Sequence, residues 1–183
     1  VNAAPLLTHI AQTLQVVRLE AILIGNAAAA LHGSPVTTID FDFFFRNTPQ
    51  NLAKLRKFAQ QTDSIILRPY YPISSLLRVT NDERGIQVDF MSQIHGISSF
   101  ASLRSRSIPM EIAPNIALMV ASLADIIKSK RAAARPKDRA VIEILEKTLN
   151  EKETFSEELK PKATRHRSKR RRVTSAKGDK RRD

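Results

Sequence analysis

The run Thr-Ile-Asp-Phe-Asp-Phe-Phe-Phe at 38–45 limits the folds open to this chain more than any other segment. Its β-branched and aromatic residues predict a strand, and side chains on a strand alternate between two faces. Phe41, Phe43 and Phe45 then share one face, which needs cover from another layer. Asp40, Asp42 and Phe44 share the other. The two carboxylates stand roughly 7 Å apart along such a strand. Aspartate is a poor strand former, and neighbouring carboxylates repel unless a positive charge lies between them. A hard divalent cation such as magnesium meets that need. The alternative, two solvated aspartates on an edge strand, fits a segment this apolar less well.

A second strand repeats the pattern. In Gly-Ile-Gln-Val-Asp-Phe-Met at 85–91, Ile86, Val88 and Phe90 face one way, and Gln87, Asp89 and Met91 the other. If the two strands are neighbours, Asp40, Asp42 and Asp89 converge, the number of carboxylates needed to bridge two magnesium ions for in-line phosphoryl transfer. Taken alone, Asp89 reads equally well as a solvated surface residue. Upstream, 20–25 reads as a short buried strand that runs through Gly25-Asn26 into an alanine-rich helix at 26–32. A glycine at a strand-to-helix turn lets phosphate approach free backbone N–H groups, although many turn glycines serve only the turn.

The remaining pattern predicts an α/β domain whose mixed sheet of about five strands is flanked by helices. Helices are expected at 5–17, 49–60, 100–105, 115–131 and 136–149, and further strands at 64–67 and 74–80, with a short one at 109–112. Asn81 to Gly85 reads as a hairpin turn, and Pro136 sits where a helix start tolerates proline. The acidic segment 151–158 can extend the last helix. His32-Gly33 reads as a helix end rather than a base or ligand. His9, His95 and His166 have no metal-ligand spacing. Tyr70-Tyr71 before Pro72 reads as a turn at the core edge rather than a base-stacking pair.

Charge separates body from tail. Of the net +12, residues 160–183 hold +10, from twelve Lys/Arg and two Asp, which leaves +2 for the rest. The division expected is a domain at 1–150 and a charged, mostly disordered tail at 151–183. Residues 160–183 have no Phe, Tyr or Trp, so this basic part of the tail suits salt-dependent attraction to RNA or DNA phosphates rather than base stacking. There is no cysteine, hence no disulfide and no thiolate metal site. No secretory leader pattern opens the chain and no apolar stretch is long enough to span a bilayer, so a cytoplasmic location with no membrane partner is expected.

In order along the chain, Gly25-Asn26, the alanine-rich 27–31, His32-Gly33, Thr38 and Asp40-x-Asp42 resemble the motif of the minimal nucleotidyltransferases, which include abortive-infection-type toxins. Lys128, Ala132 to Ala134 and Arg135-Pro136-Lys137-Asp138 resemble a later stretch of that family, and Asp89 falls where it places a third carboxylate. The resemblance spans about 6–149. It implies a nucleotidyltransferase-like fold and transfer of a nucleoside monophosphate from a nucleoside triphosphate to a hydroxyl on RNA (transfer RNA) or protein, within a toxin–antitoxin pair. It implies catalytic and metal-binding roles for Asp40, Asp42 and Asp89, with two magnesium ions. Nucleotide contacts are implied for Gly25, Asn26, Thr38, Lys128, Arg135 and Asp138, with Lys137 beside them. From the residues alone, Lys128 reads equally as a snorkelling lysine and Asp138 as a helix-start carboxylate. Two positions depart from the family pattern: Asn26 replaces a glycine or serine, and Val36 an arginine. These departures support the alternative of a catalytically degenerate domain that binds protein or nucleic acid.

Overall fold

The structure, a computed structural model, describes residues 4–38, 40–69 and 75–159. The basic segment 160–183 and the Tyr70-Tyr71 pair, both singled out in the sequence, lie outside the described residues. The elements run α1 (Ala4–Val17), β1 (Ala21–Ile24), α2 (Gly25–Leu31), β2 (Phe41–Phe45), α3 (Pro49–Gln61), β3 (Ile65–Leu67), β4 (Leu76–Asn81), β5 (Ile86–Met91), α4 (Phe100–Arg104), β6 (Ile108–Ala113), β7 (Ile116–Val120), α5 (Leu123–Ala133), a 3-10 turn (Pro136–Asp138) and α6 (Arg139–Glu158).

The strands form one mixed sheet in the order β3-β4-β5-β2-β1-β7-β6. β2 runs parallel to β5 and β1 parallel to β7, while the other neighbouring pairs are antiparallel. The phenylalanine face of β2 is covered as its pattern requires. Phe43 stacks on Phe90 of β5 at 5.5 Å between ring centroids, and Phe58 of α3 meets Phe90 edge-on at 5.5 Å. α1 buries Leu7, Ile10, Leu14 and Val17, a helical stripe, and ends where Arg18 turns left-handed with φ 54°. Leu19 N–H then closes on the Leu14 carbonyl at 3.1 Å, and Arg18 N–H on that of Gln15 at 3.0 Å, the paired bonds of a Schellman ending.

One expected element is replaced by two. The helix expected over 115–131 is a strand, β7, followed by the helix α5. Ile116, Met119, Val120, Leu123, Ile126 and Ile127 fall at helical spacing, but β1 needs a partner on its second edge. β7 supplies it, with Leu23 opposite Val120. Pro114-Asn115 closes the hairpin from β6, Asn115 taking φ 62°. Proline fixes the first turn residue and asparagine tolerates the left-handed second one. Ser122 then starts α5, its hydroxyl accepting the Asp125 N–H at 3.2 Å. The sheet therefore has seven strands among the described residues rather than about five. At the other end, α6 continues to Glu158, so 151–158 belongs to the helix and not to a tail. Phe155 and Leu159 are exposed there.

Among the described residues no helix is long and apolar enough to cross a membrane. The boundary at Ser122 has a measurable consequence. Ser122→Ala removes a helix cap and lowers stability by about 1 kcal/mol in chemical denaturation. In a continuous helix over 115–131 the same change would be neutral or stabilising, because alanine is the better helix former.

Candidate nucleotide and metal site

The sheet register lines up four adjacent strands. Ile24 at the end of β1 pairs with Asp42 of β2, Asp42 with Asp89 of β5, and Asp89 with Arg78 of β4. Residues directly opposite one another project from the same face. Asp42, Asp89 and Arg78 therefore form one row, with Gly25 at its head. Gly25 has φ +68°, and a Cβ placed on it would fall 2.5 Å from Asp42 Oδ2. Only glycine allows both that backbone and that closeness.

Each carboxylate in the row has a different environment. Asp89 is buried and accepts two bonds from Arg78, Nε to Oδ1 and Nη2 to Oδ2, both at 2.7 Å. Asp40 lies just before β2, its Oδ1 accepting from Gln87 Nε2 at 2.7 Å. Thr38 holds the Asp40 backbone, its hydroxyl donating to the Asp40 carbonyl at 2.8 Å and accepting the Asp40 N–H at 3.2 Å. The Asp42 carboxylate accepts no side-chain hydrogen bond among the described residues. Burial, and then the negative charges of Asp89 and Asp40, push its pKa from 3.8 up to about 6; Lys130 and Arg135 offset this in part.

The row opens on a cavity of ≈ 720 Å³. Gly25, Asn26, Thr38, Asp42 and Asp89 line it from the sheet side, and Lys130, Arg135, Lys137 and Asp138 from α5 and the turn after it. Met91, Ile94 and Ile97 add an apolar stretch. The cations are held by geometry. α5 ends on a left-handed Ala134, φ 52°, which turns the chain so that Asp138 meets Lys130. Asp138 is 3% exposed; its Oδ1 accepts from Lys130 Nζ at 2.9 Å and its Oδ2 from Arg135 Nε at 2.7 Å. Burial acts to raise the Asp138 pKa, but the bonds and charges of Lys130 and Arg135 outweigh it and hold the carboxyl below its usual range. Two cations on one carboxylate leave a positive wall opposite the acidic row.

Of the residues singled out in the sequence, Gly25, Asn26, Thr38, Asp42, Asp89, Arg135, Lys137 and Asp138 line the cavity, with Asp40 beside it. Lys128 does not: it is exposed, and the cavity lysine is Lys130, two residues on. Leu123, Ile126, Ile127 and Lys130 share the buried face of α5, a spacing that marks Lys130 once the helix start is known. Arg78 was also missed. Its signal is the hairpin at 82–85, which sets Arg78 opposite Asp89. His32 is a helix end, as read. It is buried, its Nε2–H donating to the Ala121 carbonyl at 2.8 Å, and burial lowers its pKa.

Among the described residues no three acidic or histidine side chains are grouped closely enough to hold an ion together. The donors that fit a hard cation are Asp42, which lacks a compensating partner, with Asp40 along the same face. Asn26 Oδ1 is buried without a hydrogen-bond donor, a further oxygen at the cavity wall. Asp89 is already satisfied by Arg78.

An uncompensated Asp42 costs stability. The folded chain keeps a proton on Asp42 that the unfolded chain loses between pH 3.8 and about 6, so stability falls as pH rises through that window. Asp42→Asn removes the effect. It raises stability at pH 7–8 by about 1–3 kcal/mol, each pKa unit being worth about 1.4 kcal/mol, and flattens the pH dependence of denaturant midpoints. Lower stability of the variant at neutral pH would make the carboxylate a structural group instead.

No family model matches the chain, and no curated protein matches it.

Proposed function

We propose that the protein is a metal-dependent nucleotidyltransferase with a nucleotidyltransferase-like fold. The observation that carries this reading is the divided cavity, acidic and short of cations on the sheet side, cationic on the α5 side. A nucleoside triphosphate with its magnesium has the complementary division: the ion suits Asp42 and Asp40, and the phosphates suit Lys130, Arg135 and Lys137. Gly25 keeps backbone rather than side chain against Asp42, which leaves room for the phosphates. Met91, Ile94 and Ile97 offer an apolar surface to the rest of the ligand.

In the reaction an acceptor hydroxyl attacks the α-phosphorus, the bond to pyrophosphate breaks, and the hydroxyl proton passes to a neighbouring carboxylate. Magnesium, when bound, supplies neutralisation of phosphate charge and acidifies the attacking hydroxyl. The chain contributes position and fixed charge. Asp138 fixes Lys130 and Arg135 in place before the ligand arrives, so little reorganisation accompanies the reaction. The acceptor is an RNA end, transfer RNA included, or a protein side chain, and a toxin–antitoxin setting follows from the resemblance to minimal nucleotidyltransferases.

A second reading, a catalytically degenerate domain that binds protein or nucleic acid, is favoured by one observation. Arg78 holds both oxygens of Asp89, the carboxylate expected to join the metal site.

Incubation with each α-labelled nucleoside triphosphate, magnesium, and total RNA or cell protein separates the two. Transfer reading predicts labelled product, lost at least about 100-fold in Asp42→Ala and reduced in Lys130→Ala, as for the removal of a transition-state charge partner. Absence of label with every nucleotide supports the degenerate reading, whereas transfer that survives Asp42→Ala overturns the Asp42-centred mechanism.

A further inference from the structure

Arg78 sits where a cation shared by Asp42 and Asp89 would compete for the same oxygens. Its backbone pairs directly with that of Asp89, so the guanidinium reaches the carboxylate without leaving the sheet. Both Asp89 oxygens accept at 2.7 Å, the fork geometry in which arginine binds carboxylate most strongly. One strand over, the Asp42 carboxylate has no hydrogen-bond partner among the described residues. The nearby cations cannot replace Arg78 there, because Lys130 and Arg135 are both bound to Asp138. The row is thus half-compensated: the inner carboxylate pair has one cation, and it is covalently part of the protein.

We propose that Arg78 is a resident counter-ion that competes with a divalent cation for Asp89 and so sets the metal affinity of the site. The proposal rests on the metal-binding part of the functional reading above. Arginine stays protonated at every working pH, so the competitor leaves only when a stronger cation displaces it, not when pH changes. A third of the Arg78 side chain remains exposed, 33% against 10% for Asp89, so the guanidinium can swing toward solvent while Asp89 stays in place. Weak metal binding by the protein alone, strengthened when a triphosphate brings its own ligands to the ion, is the behaviour this arrangement produces. In a nucleotide-transferring protein it would keep the site without metal until substrate arrives.

The test is Mn²⁺ binding, read by electron paramagnetic resonance of the free ion, on the full chain without nucleotide at low ionic strength. Wild type, Arg78→Gln, Arg78→Lys and the double variant Arg78→Gln/Asp42→Asn are compared. Arg78→Gln is expected to bind at least about tenfold more tightly than wild type, with Arg78→Lys between them, since lysine keeps the charge but not the fork. The double variant loses the gain. Thermal melts add a second readout: Arg78→Gln melts below wild type without metal, because Asp89 is left buried and unpaired, and recovers on addition of Mn²⁺. If Arg78→Gln does not fold, Arg78→Lys against wild type carries the comparison. Equal or weaker Mn²⁺ binding by the Arg78 variants, with clear binding by wild type, overturns the competition and leaves the metal site standing. No binding by any protein in the series overturns both.

Discussion

Asp42 holds a half-buried carboxylate between a backbone glycine and a second carboxylate, and the rest of the site follows from that constraint. Its neighbours are fixed by strand register: Ile24 on one side and Asp89 on the other. Register cannot slip by one residue without turning Phe41, Phe43 and Phe45 out of the core, so the hydrophobic face locks the polar one. Gly25 follows, because any side chain there would strike Asp42 Oδ2. The aromatic cluster around Phe90 holds β2 and β5 together from behind.

Charge is compensated around Asp42 but not on it. Arg78 satisfies Asp89, Gln87 gives Asp40 one neutral hydrogen bond, and Asp138 gathers Lys130 and Arg135 at the opposite wall. The remaining imbalance is the raised pKa of Asp42. Perturbed carboxylates of this kind gather at functional sites, where a ligand supplies the missing charge. A purely structural sheet would gain stability from asparagine at this position.

Much of the site was legible from periodicity. Alternation placed Asp40 and Asp42 on one face of 38–45 and Asp89 on the less apolar face of 85–91; the strands are neighbours, with Asp42 opposite Asp89. What the chain alone left open was partner choice at a distance. Ile116, Met119 and Val120 satisfy a helical period as well as a short strand, and only the free edge of β1 decides between them. That ambiguity displaced the start of α5, while Lys128 comes from the family resemblance rather than from the helix face. Two residues on a helix are about 200° of rotation, so Lys128 points outward where Lys130 points in. Arg78 was legible in principle from the hairpin register, but its strand carries no motif. The left-handed Ala134, which brings Asp138 to Lys130, has no sequence signal of its own, since alanine is not a residue that favours that conformation.

The direct measurement is the titration of the Asp42 carboxyl by ¹³C NMR, with and without magnesium and a non-hydrolysable nucleoside triphosphate. The ligand-free protein should titrate at about 6, with the value falling well below that when cation and nucleotide are present. An ordinary carboxylate value that does not move on addition of the ligands would contradict a cation-seeking site at the centre of this sheet.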